Sequence, residues 1–129
     1  MALGDAVPRK CAVRSKAWIV DERGKVIIGA GRLQILELVE TYGSMLAASK
    51  QLRMSYRAVW GKIKATERRL GQQLIKPKSG TTRGGSELTP FAYKLLEGFR
   101  QLQTQAEKDI DLLFEKIFTP NLHRKSPPT

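Results

Sequence analysis

The sequence predicts a mainly α-helical fold with a small amount of β-structure, and three observations support this prediction. Apolar residues recur at helical spacing in several segments, and Ser or Thr precedes three of these segments where a helix needs an N-cap. Short β-branched and aromatic runs precede the helices, and two further short strands around a Gly-rich loop are predicted after the central helices. A chain of 129 residues, 41% hydrophobic, is long enough for one compact unit with a buried core.

The central segment predicts two short helices joined by a tight turn. Ser44 is placed to cap a helix over 45–52, and Ser55 is placed to cap a second helix over 56–70. Gly71 follows the second helix, where a left-handed residue is common. Two helices separated by such a short turn are typical of a helix-turn-helix.

Two predicted hairpins flank the helices. The first joins 16–20 to 25–28 through a turn that contains Gly24. The second joins 74–78 to 87–89 through a Gly-rich loop. Two strands with a flexible basic tip after a helix-turn-helix would form a wing.

Two further helices are predicted, and the last one is long. The first contains an apolar stripe from Leu33 to Val39, and the last spans 90–118 after the cap Thr89. At ~1.5 Å per residue the last helix would measure roughly 40 Å, more than three short helices and a wing can cover. We therefore expect a second copy of the chain to cover its far half. The residues expected at this dimer interface are Leu36, Phe99, Leu102, Ala106, Ile110, Leu113 and Ile117.

Positive charge is concentrated in the helix pair and the wing. Between residues 44 and 83 the chain has ten Lys and Arg residues and one acidic residue, so this segment holds nine of the eleven net positive charges. A local basic patch indicates a polyanionic partner, because Lys and Arg neutralise phosphates and release their counterions. Nucleic acid is the leading expectation. The alternatives are a solvated basic surface and a patch for anionic lipid, although no apolar anchor lies nearby.

The second helix of the pair divides into an apolar and a basic face. At ~100° per residue, Val59 and Ile63 fall on one side and Arg57 on the other. Arg and Lys recognise guanine in the major groove, and the first turn of such a helix normally faces the base edges. Trp60 is expected to lie partly in the core, and DNA contact is the alternative. Gly61 indicates either that the DNA approaches the helix backbone closely at this position or that the helix simply tolerates a glycine there. The candidate DNA-binding residues are Ser44, Ser55, Tyr56, Arg57, Trp60, Gly61, Lys64, Arg68, Lys76, Lys78 and Arg83.

Several other classes of protein are not supported. No run approaches the ~18 apolar residues of a membrane span, and the start lacks a signal core, so we expect a cytoplasmic protein without a membrane partner. A single Cys and a single His predict neither an internal disulfide nor a metal site. The acidic residues of the last helix alternate with Lys, and no Lys-Ser/Thr pair follows the Gly-rich loop, so neither catalysis nor a cofactor is expected.

The expected organisation is a winged helix-turn-helix with an N-terminal hairpin, a two-stranded wing and a long C-terminal dimerisation helix. The winged domain spans 16–89 and the dimerisation helix 90–118. Residues 1–15 predict a flexible arm, which could also reach into a DNA groove, and the Pro-containing residues 119–129 predict a disordered tail.

These features resemble the N-terminal DNA-binding domain of ModE-type, molybdate-responsive transcriptional regulators, itself a LysR-like winged helix-turn-helix. The resemblance covers roughly 17–117 and is most specific in Met-Ser-Tyr-x-Ala-x-Trp (54–60), the Gly-rich wing and Leu-Thr-Pro (88–90). It implies a homodimer, joined through the first and last helices, that binds a palindromic site. Thr66 and Ala92 depart from the family pattern. The family's oxyanion-binding domains would follow this region, so no oxyanion effector is expected on this chain.

The expected function is sequence-specific binding of double-stranded DNA by a homodimer that regulates transcription. One alternative is a structural DNA-coating protein with little sequence preference. Another is a subunit whose long helix pairs with a full-length regulator. Competition with random duplex tests the first alternative, because a coating protein would show little preference for one sequence. The oligomeric state of the purified chain tests the second, because a stable homodimer favours a regulator that acts alone.

Overall fold

The computed structural model describes residues 11–80 and 84–122. It confirms the mainly helical fold with a small amount of β-structure. The elements in chain order are β1 (Ile19–Val20), β2 (Val26–Ile28), α1 (Ala30–Tyr42), α2 (Met45–Leu52), α3 (Tyr56–Leu70), β3 (Ile75–Pro77), β4 (Ser86–Leu88) and α4 (Pro90–Leu122). The loop residues 81–83, and the terminal residues 1–10 and 123–129, lie outside the described residues.

Serine caps begin α2 and α3 where the sequence predicts them. Ser44 Oγ accepts a hydrogen bond from the Ala47 N–H at 3.0 Å, and Ser55 Oγ accepts one from the Ala58 N–H at 3.0 Å. Gly71 ends α3 in the left-handed region with φ 67°. Because local capping decides these ends, the predicted bounds of both helices are confirmed.

Both hairpins form; β1, β2 and β3 are shorter than predicted, and β4 is shifted by one residue from the predicted 87–89. β1 pairs antiparallel with β2, and the register is irregular between Ile19 and Val20, which limits the pairing to a short stretch. Gly24 occupies the turn with φ 83°. β3 pairs antiparallel with β4, from Ile75 opposite Leu88 to Pro77 opposite Ser86. These two strands form the predicted wing.

One hydrophobic core joins the first hairpin, α1 to α3, the wing and the start of α4. The prediction that Leu36 and Phe99 lie at an interface between copies is wrong, because these side chains are 0% and 1% exposed within their own chain. Their helical spacing reflects packing in this core. Its most deeply buried apolar residues are Ile28, Ile35, Leu36, Val39, Ala48, Val59, Ile63, Leu74, Ala92, Leu96 and Phe99.

The first three turns of α4 belong to the core, and the rest of the helix does not. The compact unit spans Ala17–Arg100, and α4 continues from Gln101 into a second unit. The division lies inside α4, and not before Pro90, because Ala92 and its neighbours on the same face pack into the core. The helix ends at Leu122, past the expected end at residue 118. Pro120 lies within the last turn of α4, so residues 119–122, predicted to begin the disordered tail, are helical.

Thr89 connects the wing to α4. Its Oγ1 accepts a hydrogen bond from the Ala92 N–H at 3.1 Å, as the predicted N-cap should, and donates one to the Gln73 carbonyl at 2.7 Å. On the next turns, Arg100 pairs with Glu37 of α1 at 2.6 Å. The start of α4 therefore supports both the wing and α1.

Candidate nucleic-acid interface

The turn between α2 and α3 is built around Arg53. This residue has φ 56° and ψ 41°, and in the described chain it is the one residue other than glycine with a positive φ. Its N–H bonds back to the Lys50 carbonyl at 3.2 Å, and the Met54 N–H bonds to the Ser49 carbonyl at 3.0 Å. A left-handed arginine costs about 1 kcal/mol or more. The turn sets the direction in which α3 leaves α2.

The predicted division of α3 into two faces is confirmed. Val59 and Ile63 are buried against the other helices, whereas Arg57, Gly61 and Arg68 are exposed on the opposite side. A Cβ on Gly61 would meet no atom within 4 Å. The packing of the chain therefore does not require a glycine at this position.

Two aromatic side chains stand on the first turns of the exposed face. Tyr56 is 46% exposed and Trp60 is 43% exposed, and Trp60 is not among the residues that form the core or pack against it. The expectation that Trp60 lies partly in the core is therefore wrong, and DNA contact stays a prediction. With Arg57 these two side chains line an open surface pocket of about 410 Å³, which we call the Tyr56–Trp60 pocket. An arginine between two exposed aromatic rings can offer both hydrogen bonds and apolar contact to a base.

The Trp60 indole contacts a lysine one turn further along α3. The Lys64 ammonium lies 5.6 Å from the ring centroid, in cation–π range, and also pairs with Glu67 at 3.1 Å. Lys64 is thus engaged within the free chain. Arg57 and Arg68 make no ion pair with any residue that the structure describes.

Glu67 ties α3 to the wing, a role that sequence reasoning missed. Its Oε2 accepts hydrogen bonds from the backbone N–H groups of Leu74 at 2.8 Å and Ile75 at 3.2 Å, and its side chain is 11% exposed. The available signal was a single acidic residue within a strongly basic segment. Such a residue is retained where it satisfies buried donors.

The base of the wing docks on the junction between α1 and α2. The Ser86 N–H donates to the Gly43 carbonyl at 2.7 Å, and the Lys78 N–H donates to the Gly85 carbonyl at 3.2 Å. A Cβ on Gly85 would lie 3.0 Å from the Gly43 carbonyl oxygen, and the left-handed φ of +101° also favours glycine. The close approach places the Lys78 ammonium beside Gly43, at the start of α2.

The other predicted wing residues differ in their surroundings. Lys76 pairs with Glu87 on the neighbouring strand at 3.5 Å. Arg83 lies outside the described residues.

The two predicted DNA-binding serines, Ser44 and Ser55, each use an oxygen lone pair for capping, which leaves the hydroxyl hydrogen available to a phosphate oxygen.

The N-terminal hairpin is fastened to the inner side of α3. The buried Thr66 hydroxyl donates to the Ile27 carbonyl at 2.7 Å, and Arg69 donates to the Val26 carbonyl. This bond gives a physical reason for the threonine at position 66, one of the two departures from the family pattern. Burial, and then the nearby charge of Arg69, lower the pKa of Arg32. Arg32 also donates to the Lys62 carbonyl at 3.3 Å, so Arg32 and Arg69 place two guanidinium groups on this flank of α3.

In the second unit, α4 presents an apolar stripe to solvent. Leu102, Leu113 and Ile117 are about half exposed, and Ala106 and Ile110 are partly buried. These five are the predicted dimerisation residues that do not fill the core, and we call them the α4 stripe. Phe114 and Phe118 contact each other with ring centroids 5.0 Å apart. An apolar stripe of this length is typical of a helix that packs against a partner.

The part of the chain that the structure describes contains neither a membrane-spanning helix nor a metal-binding cluster. None of the described helices combines the length and apolar character that a bilayer span requires. No group of three or more His, Cys, Asp or Glu side chains in the described ranges is placed to hold a metal ion.

Comparisons with known proteins agree with this geometry. Residues 31–93 match the family described as bacterial regulatory helix-turn-helix protein, lysR family. The chain is 28% identical over 87 residues to the molybdenum transport protein ModE of Azotobacter vinelandii, covering 67% of this chain and 32% of that protein. It is 29% identical over 96 residues to the molybdenum-pterin-binding protein MopB of Rhodobacter capsulatus, covering 74% of this chain and 36% of that protein. The chain thus spans about a third of the length of these relatives.

A solved structure shows the same fold. The CbnR DBD–DNA complex contains a chain with a TM-score of 0.53 and 26% identity, covering 69% of this chain and 98% of that one. The first hairpin of the present chain precedes the matched family region, which begins at residue 31. Residues 31–93 therefore form a winged helix-turn-helix domain of the bacterial lysR regulatory family, and the chain is related to ModE.

Proposed function

We propose that this chain binds double-stranded DNA and regulates transcription in the cytoplasm. The observation that carries the proposal is the exposed face of α3, where Tyr56, Arg57, Trp60 and Arg68 stand on a helix fixed by the helix-turn-helix turn. In this arrangement α3 enters a major groove and the wing contacts the backbone. The likeness to a chain solved as a DBD–DNA complex supports the same partner.

We further propose that the active form is a homodimer that binds sequence-specifically. The α4 stripe leaves apolar side chains in solvent, and a second copy of the helix would cover them. A symmetric pair would present two α3 helices to half-sites about one helical turn apart. The preferred site should therefore be a palindrome.

Selection of duplexes from a random pool, followed by affinity measurements on variants, tests the DNA-binding role. Arg57→Ala should make the free energy of binding to the selected duplex less favourable by about 1 to 3 kcal/mol and relax the base preference at one position. Lys78→Ala should weaken binding to selected and random duplexes alike. Lys94→Ala, which removes an exposed charge from α4, is the matched control and should change neither affinity.

Two outcomes contradict the assignment. If Arg57→Ala lost the same affinity for the selected and the random duplex, as is expected of Lys78→Ala, Arg57 would not recognise bases. A preference for the selected duplex below about 10³ at physiological salt would favour a DNA-coating protein over a specific regulator.

The homodimer is tested by substitutions on α4. Leu113→Glu places a charge on the α4 stripe and should convert the purified dimer into a monomer, measured by sedimentation equilibrium. Leu112→Glu is the matched control, because Leu112 is exposed and lies about 100° around the helix from Leu113. A monomeric wild-type chain would contradict the proposal and favour pairing with a full-length regulator.

A further inference from the structure

The Tyr56–Trp60 pocket differs chemically from the surface around it. Farther along α3 the exposed side carries Lys64 and Arg68, whereas the surface that lines this pocket is mostly apolar and belongs to Tyr56, Arg57 and Trp60. Both rings are nearly half exposed in the free chain. Aromatic surface left open beside cationic residues indicates a ligand that is both anionic and locally apolar.

Contacts within the chain restrain part of the pocket. The Lys64 ammonium lies over the Trp60 ring, and Glu67, fixed by two backbone N–H groups, holds Lys64 in turn. Tyr56 begins α3 directly after the cap Ser55, so its backbone is fixed as well. A side chain ordered before binding loses less conformational entropy on binding.

The position of the pocket restricts its occupant. Three residues on one helix leave it open to solvent, whereas a small-molecule site normally encloses most of its ligand. A DNA duplex against α3 would close the open side. In the major groove, base edges present hydrogen-bonding atoms, and thymine adds an apolar group, its C5-methyl.

We propose that the Tyr56–Trp60 pocket binds the C5-methyl group of a thymine in each half-site, next to the base pair that Arg57 contacts. This inference rests on the DNA-binding function proposed above and adds the recognised group. Arg57 contributes hydrogen bonds at the rim, and the two rings exclude water from the methyl group. The preferred half-site therefore contains a thymine whose methyl group contributes to affinity.

Replacement of single thymines by deoxyuridine in the selected duplex tests this proposal, because the change removes only the methyl group. One thymine per half-site should show about a fourfold loss of affinity, the value expected for one buried methyl group, and the others should show none. In the Trp60→Ala variant, the ratio of the affinity for the thymine duplex to the affinity for the deoxyuridine duplex at that position should fall to about one. Lys62→Ala, which changes an exposed residue on the same helix, should keep the ratio.

The outcomes separate this inference from the proposed function. A selected duplex that binds tightly and tolerates deoxyuridine at every position overturns the pocket assignment and leaves the DNA-binding function intact. A ratio that survives Trp60→Ala also overturns it. Because the deoxyuridine series uses the wild-type chain, the test does not depend on the folding of a variant. A chain that binds no duplex overturns both.

Discussion

Removal of the Glu67 carboxylate should destabilise the domain by uncoupling the wing from α3. The carboxylate accepts hydrogen bonds from the Leu74 and Ile75 N–H groups at 2.8 and 3.2 Å, and its side chain is 11% exposed. Glu67→Ala would leave both donors without a partner, at about 1 to 3 kcal/mol each, with the longer bond near the low end. The pair with Lys64 adds little, because the lysine is over a third exposed.

We therefore expect Glu67→Ala to lower the free energy of unfolding by about 2 to 4 kcal/mol, a large part of a typical domain stability. Urea unfolding of wild type and variant measures this difference, provided that the slope of the transition is unchanged. Glu40→Ala, which removes an exposed carboxylate from α1, is the matched control and should stay within about 0.5 kcal/mol. A Glu67→Ala variant as stable as the control would refute the role assigned to Glu67.

Three further predictions concern single residues. Thr66→Val should lower the free energy of unfolding in urea by about 1 to 3 kcal/mol, because the Ile27 carbonyl loses its buried donor. Thr66→Ser should retain that hydrogen bond. A Thr66→Val variant as stable as wild type would contradict the prediction. Gly61→Ala should raise the free energy of unfolding by about 1 kcal/mol, since a Cβ there meets no atom within 4 Å. A loss of DNA affinity in the same variant would indicate close backbone approach, whereas unchanged affinity would indicate simple tolerance. Hydrogen bonds from the Lys25 and Arg23 N–H groups lower the pKa of Asp21 from its ordinary value of 3.8, so its contribution to stability is present above about pH 4 and is lost as the pH falls through the lowered pKa. Asp21→Asn should flatten this acid dependence in unfolding measured from pH 2 to 6, and parallel curves would contradict it.

Local signals were sufficient for the central helices. The caps Ser44 and Ser55 and the terminal Gly71 act on neighbouring backbone groups, so the bounds of α2 and α3 followed from the sequence. Three of the four strands were predicted too long, because pairing depends on the register between two segments, and the irregularity in the first hairpin has no local signature.

Long-range contacts were beyond the sequence. Helical spacing cannot distinguish an apolar face that fills the chain's own core from one that meets a partner, which is why Leu36 and Phe99 were assigned to the wrong surface. The bonds of Thr66 to β2 and of Glu67 to β3 join residues that only the fold brings together. For Trp60 the error runs the other way: its place beside the apolar face of α3 predicted partial burial in the core, but the side chain is exposed.

The central claim, that the basic face of α3 contacts duplex DNA, is tested most directly by the salt dependence of binding. Equilibrium affinity of the purified wild-type chain for the selected duplex should be measured between about 50 and 200 mM salt. The account predicts tight binding at the low end and a linear fall of log affinity with log salt, amounting to about 10³ or more if six or more phosphates are contacted. Absence of binding at 50 mM salt, or an affinity that does not change with salt, would contradict it.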